Sequence, residues 1–255
     1  MKIGLEYIKY QWKAKRRHGI HSPFVYDITD KCLKTLIDSE SEAKLNTLFK
    51  TLSKNQTEIE IQDFGAGSKR LSNTRKVSSI FNTSSSKGKY GKLLYQLAKH
   101  YSPKHILEFG TSLGVGTSYL KYGSPEAKIT TLEACTETRR VALQNFEQQN
   151  FSNIESIHST FSDYLDTAGT DKFDLVFVDG HHDGKALLEY MERLSPITHN
   201  DTLFILDDIR WSESMFSAWN MIVADPRYHV TLDFFRFGII SPRPQQEKEH
   251  FILKL

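Results

Sequence analysis

The run Ile106-Leu-Glu-Phe-Gly-Thr-Ser-Leu-Gly-Val-Gly-Thr117 constrains this chain more than any other stretch. An apolar segment ends in an acid, turns through closely spaced glycines and enters a helix-like pattern carried by Val115, Tyr119 and Leu120. That order predicts a strand, a tight turn and a helix N-terminus, the junction at which parallel α/β sheets bind small ligands. The dinucleotide fingerprint G-x-G-x-x-G fits poorly, because Ser112 and Val115 stand where it has glycine. Glu108, at the strand end, is expected to face the crevice. A carboxylate there repels a pyrophosphate, which argues against a nicotinamide oxidoreductase, and suits a cationic ligand.

The chain then alternates strands and helices. Lys128 to Glu133 reads as a second acid-ended strand, about 20 residues on, where a ribose-binding acid belongs. Helical spacing from Glu137 to Gln149 precedes a third strand, Ile154 to His158, which is followed by Ser159-Thr160-Phe161. Phe173 to Asp179 is a nearly continuous apolar run, as expected of a strand buried on both faces. A fifth strand, Asp201 to Asp207, ends in the pair Asp207-Asp208. The alternation predicts a doubly wound, mostly parallel sheet. His229 to Ile240 and His250 to Leu255 are strand-like and joined by the turn-rich 241–249 without a helix, so they are expected to pair as an antiparallel hairpin.

These features together resemble the class I S-adenosylmethionine-dependent methyltransferases. Over Tyr90 to Leu255 the chain is similar to the small-molecule O-methyltransferases typified by catechol O-methyltransferase, and its N-terminal Arg16-Arg-His-Gly-Ile-His-Ser-Pro-Phe24 resembles an uncharacterised bacterial subgroup. The resemblance implies a seven-stranded Rossmann-like sheet ending in an antiparallel hairpin. It implies S-adenosylmethionine as cofactor, held by Glu108, Gly110, Thr111, Ser112 and Gly114, by Glu133 at the ribose, and by Ser159, Phe161 and Asp179. Tyr90 and Gly91 would lie on a helix closing over the methionine part. Asp179, Asp207 and Asp208 match carboxylates at the ends of strands four and five, and coming from adjacent strands they can converge on one Mg²⁺. Where the catechol enzyme has a lysine base, this chain has His182, with His181 beside it. A histidine ionises near working pH and can take the acceptor's proton. The substitution removes support for a catechol as substrate. A carboxylate-held ion can orient and acidify an acceptor oxygen for in-line displacement at the sulfonium methyl.

Each residue also has a plain structural reading. Glu133 can cap the following helix, and Asp208 the helix that starts near Ser212. The histidines can be solvated loop residues. Trp219 and Phe216 read as core, with Trp211 able to reach a pocket rim. The second glycine cluster, Ile59 to Ser68, lacks an acid-ended strand at the right distance and reads as a structured loop or short hairpin.

A net charge of +2 over 255 residues gives no global case for nucleic acid, although basic runs occur at Lys9 to Arg17 and Lys69 to Lys76. No apolar run approaches a membrane span. Cys32 and Cys135 form no metal or redox spacing, which fits a cytoplasmic setting. Residues 1–90 read as a helical and loop extension over the acceptor pocket, with 82–89 a polar mobile loop, and 91–255 as the cofactor-binding domain. The expected function is methyl transfer to an oxygen of a small molecule, and the reading admits a homodimer. Two alternatives stand: a metal-independent methyltransferase on nitrogen or a macromolecule, and a non-catalytic cofactor-binding or interaction module.

Overall fold

The computed structural model describes residues 3–15, 22–62 and 73–255. The N-terminal region contains helices α1 (Ile3–Lys13), α2 (Pro23–Asp30) and α3 (Ser39–Lys54), an antiparallel pair β1 (Glu58–Ile61) and β2 (Asn73–Lys76), and α4 (Val77–Ser84). α3 starts at Asp38, whose carboxylate accepts the Ser41 N–H at 2.9 Å, and buries Leu45, Leu48 and Leu52 at helical spacing. The Asp63–Ser68 glycine cluster, Arg16–His21 and Lys69–Ser72 lie outside the described residues.

The alternating region follows as α5 (Gly88–Tyr101), β3 (His105–Phe109), α6 (Val115–Gly123), β4 (Lys128–Leu132), α7 (Thr136–Gln148), β5 (Ile154–Ile157), α8 (Phe161–Thr167), β6 (Phe173–Val178), α9 (Gly184–Leu194), β7 (Thr198–Leu206), α10 (Glu213–Ala224), β8 (Val230–Phe234), β9 (Phe237–Ser241) and β10 (Glu249–Ile252). The large sheet runs β10-β8-β9-β7-β6-β3-β4-β5, with β3 to β7 parallel. Side chains alternate across it. Ile106, Phe177 and Ile205 join Leu93, Leu94 and Leu120 on one face, whereas Leu107, Val176 and Phe204 join Leu187, Met191 and Trp219 on the other. Both faces are buried, which is why the central strands read as unbroken apolar runs. Strand order reverses between β3 and β6, and this opens a crevice at their carboxyl ends.

Four expectations are corrected here. The sheet has eight strands rather than seven, and residues 229–240 are not one strand paired with 250–255. Phe235 adopts φ +71°, its N–H donates to Asp233 Oδ1 at 2.8 Å, and the chain reverses there. β9 then inserts antiparallel between β8 and β7, and β10 joins β8 in parallel at the edge. The supposed mobile stretch 82–89 is the end of α4, a short turn and the start of α5, with Ser86 only 2 % exposed. Asp208 does not cap α10, since Ser212 does so through the Met215 N–H.

Candidate functional site

A cavity of ≈ 370 Å³ lies at the carboxyl ends of β3, β4 and β6, lined among others by Gly110, Ser112, Glu133, Phe161, Asp179 and His181. Gly110 has φ +99°, and a Cβ on it would sit 1.8 Å from the Asp179 carbonyl oxygen, so no side chain fits. The turn is fixed from β4. Ser112, itself at φ +49°, donates its N–H to Glu133 Oε2 at 2.8 Å, and the Cys135 N–H donates to Oε1 at 2.9 Å. Burial raises the Glu133 pKa, with these backbone donors opposing it. Phe161 stacks on Phe109 at 4.7 Å between ring centres and supplies a flat apolar wall. This cradle, with a carboxylate and an aromatic plane on its walls, fits the ribose and adenine of S-adenosylmethionine. A larger cleft, ≈ 750 Å³ between α1, α5 and the last residues, contains none of these strand-end groups.

Glu108 does not face the crevice. It shares strand parity with Ile106, so it points under α6 and is fully buried. Its Oε2 accepts from Thr117 Oγ1, and from Thr131 Oγ1 at 2.6 Å. Thr111 Oγ1 in turn lies 2.6 Å from Thr131 Oγ1. Burial pushes the Glu108 pKa to about 7. Its part is to brace the turn from below. Gly114 is covered by Phe146 at the start of α6, and Gly91 packs against the Tyr119 ring. Tyr90 donates its hydroxyl to the Phe234 carbonyl at 3.1 Å and lies against Phe237. The Ser159 hydroxyl donates to the Thr160 carbonyl at 2.8 Å. Thr111, Gly114, Tyr90, Gly91 and Ser159 thus stand around the cavity's supports rather than among the wall residues named above.

The second cluster lies where β6 and β7 end. The Asp207 side chain is fully buried and meets the fork of Arg236, Nε to Oδ1 at 2.6 Å and Nη2 to Oδ2 at 2.5 Å. Arg236 Nε is also 3.1 Å from Asp208 Oδ1. Ser86 Oγ lies 3.1 Å from Asp207 Oδ2 and 3.2 Å from Asp179 Oδ2, and it accepts from Arg236 Nη2 at 3.3 Å. Burial and the Asp207 charge raise the pKa of Asp179 well above the usual carboxylate range and that of Asp208 less so. The two histidines part company. His181 Nδ1 meets the Tyr190 hydroxyl at 2.5 Å on the cavity wall. His182 Nε2 lies 3.6 Å from Asp208 Oδ2, with its ring 5.4 Å from that of Trp211, which is 68 % exposed.

The three aspartates therefore converge, but around a guanidinium. Among the described residues no three His, Cys, Asp or Glu side chains are placed to hold one metal ion. Ser86 and Arg236 escaped the sequence reading. Neither belongs to a motif, and from the sequence Arg236 reads as the interior of a single strand. The two glycine-poor residues Phe235-Arg236 at the middle of a long β-like run carried no turn signal.

Comparison with known proteins bears on the fold. A family model described as a methyltransferase domain matches residues 107–209, from within β3 to just past Asp208. No curated protein matches. Among solved structures, an SAH-bound methyltransferase from Podospora anserina superposes with TM-score 0.60 at 16 % identity, over 87 % of this chain and 96 % of that one. An O-methyltransferase from Bacillus cereus in complex with SAH gives 0.56 at 18 %, over 85 % and 94 %. A putative O-methyltransferase from Klebsiella pneumoniae gives 0.56 at 21 %, over 63 % and 82 %. The chain has the class I methyltransferase fold. Among the described residues no helix is long and apolar enough to cross a membrane.

Proposed function

We propose that the protein is an S-adenosylmethionine-dependent methyltransferase that transfers a methyl group to an oxygen of a small molecule. One observation carries this reading. Asp179 is both a wall of the Glu133–Phe161 cavity and a member of the polar cluster with Ser86 and Asp207, so a cofactor site and an acceptor site share a boundary. The family model over the same strands supports it.

When bound, S-adenosylmethionine supplies a sulfonium methyl open to in-line displacement by an oxygen lone pair. The chain's own residues do the rest. Glu133 would accept the ribose hydroxyls, since its carboxylate oxygens keep acceptor capacity beyond the donors they already meet. Phe161 would flank the adenine, and the bare Gly110 turn would permit close approach of the ligand to the backbone. Asp179, at the boundary, positions the acceptor. His182 takes the acceptor's proton, and the Asp208 carboxylate at 3.6 Å favours the imidazolium that forms. His181 is held to Tyr190 on the cofactor side and orients that wall. Described residues of the 1–90 stretch bound the acceptor site: Ser86 joins its carboxylates, and Tyr7 and Tyr10 of α1 pack on Phe235, next to Arg236.

The test is calorimetric titration of the full chain with S-adenosylhomocysteine, followed by transfer of labelled methyl from S-adenosylmethionine to a panel of phenols, enols and carboxylic acids. Micromolar binding and label in an oxygen-bound methyl are expected. No binding of S-adenosylhomocysteine would reject the reading.

A further inference from the structure

We propose that Arg236 is the resident cation of the acceptor site, occupying the place that three converging carboxylates would otherwise offer to a divalent ion, so that the site binds and orients its acceptor without a metal. The inference rests on the methyltransferase reading for its use of the site, and on geometry for the rest.

Mg²⁺ requires oxygen ligands at about 2.0–2.1 Å in near-octahedral array. The most enclosed donor here is already paired. Asp207, the most buried of the three aspartates, has each oxygen on a different nitrogen of one guanidinium, the bidentate match between arginine and carboxylate. The same Nε reaches Asp208 Oδ1, and Ser86 links Nη2 to the carboxylates of Asp179 and Asp207. A divalent ion on these Asp207 oxygens would compete with the guanidinium for their lone pairs and would sit beside its positive charge.

Nor is Arg236 a flexible surface side chain that happens to lie here. Its guanidinium sits over the rings of Tyr90, at 5.6 Å, and Phe237, at 5.9 Å. Its backbone carbonyl accepts the Ile209 N–H at 3.0 Å. The turn before it is held by Asp233, which pairs with buried Arg210 through Nη1 at 2.8 Å and Nη2 at 2.5 Å, while Arg210 Nη1 also donates to the Phe235 carbonyl at 2.8 Å. The fold therefore presents this cation from a rigid hairpin. Its side chain stays 29 % exposed, leaving the face away from Asp207 to meet an acceptor oxygen. A guanidinium remains charged at any working pH, binds oxygen by planar hydrogen bonds and supplies no Lewis acidity. It can steer an oxygen lone pair but cannot acidify a hydroxyl as a dication does, which leaves proton removal to His182.

The experiment measures Mn²⁺ binding to the full chain by the loss of the free-ion signal in electron paramagnetic resonance. Wild type is expected to show no site below millimolar Mn²⁺. Arg236→Ala, with its folding checked by circular dichroism, is expected to gain one site at least tenfold tighter. Arg236→Lys should stay like wild type, and Arg236→Ala/Asp207→Asn should lose the gained site. A sub-millimolar site in wild type that Asp207→Asn abolishes would overturn the proposal, as would a folded Arg236→Ala that binds no Mn²⁺. If Arg236→Ala does not fold, the wild-type and Asp207→Asn titrations still decide. S-adenosylhomocysteine binding, measured on the same samples, fails separately if the methyltransferase reading is wrong.

Discussion

The two halves of the proposed site are built differently. The cofactor half is local. Gly110, Ser112, Glu133 and Phe161 come from three successive strand ends and the turns that follow them, and a single carboxylate links turn to turn. The acceptor half is assembled from afar. Ser86, Asp179, Asp207 and Arg236 come from an interhelical turn, two strand ends and a hairpin, with 150 positions between the first and the last. The first half rests on backbone geometry that few residues tolerate, and the second on charge balance.

If that contrast is right, the halves should fail separately. Asp207→Ala removes the buried partner of Arg236 and should cost about 4 kcal/mol of stability by denaturant unfolding, while S-adenosylhomocysteine affinity stays within about threefold, a change of less than 1 kcal/mol. A parallel loss of affinity would mean that the halves are one unit.

Glu108 sharpens the comparison by pH. Its folded-state pKa of about 7 lies above the ordinary 4.5, so the folded protein keeps a proton that the unfolded chain releases. Stability should then be greatest below pH 4.5 as far as this group is concerned and fall as pH rises to 7, by about 3 kcal/mol in all. Glu108→Gln should flatten that slope in a series of melts across the window.

Gly110→Ala strikes the cofactor half, because its Cβ meets the Asp179 carbonyl. Affinity for S-adenosylhomocysteine should fall by about a hundredfold or more, about 2.7 kcal/mol by calorimetry. Glu133→Gln keeps the shape and removes the charge. It should weaken the same binding by about tenfold, roughly 1.4 kcal/mol, and also lower the unfolding midpoint, because the amide NH2 must face one of the two backbone N–H donors that Glu133 accepts.

The same contrast explains what could be read in the sequence. The strand–turn–helix at 106–117 and the acid-ended strand at 128–133 are short-range patterns, so element order, sheet class and much of the cavity wall were legible. Glu108 was misread because the motif fixes where a residue stands along a strand, whereas the parity of burial fixes which way it points. The hairpin was misplaced because Phe235 takes a left-handed conformation with no glycine or asparagine to announce it, and the Arg210–Asp233 pair that holds it is 23 residues apart in sequence. Ser86 sat in a polar stretch that reads as loop. Its role exists only once α4 and α5 bring it against β6 and β7.

The hairpin's place in the chain carries a last consequence for synthesis on the ribosome. Every residue of the cofactor half, and Asp179, Asp207 and Asp208, is made before Arg236. Until β8 and β9 follow and dock beside β7, the strand-end carboxylates lack the guanidinium that pairs with them in the finished fold. Water must serve them in the meantime, so the acceptor end should be the last part of the sheet to dry and close as the chain leaves the exit tunnel.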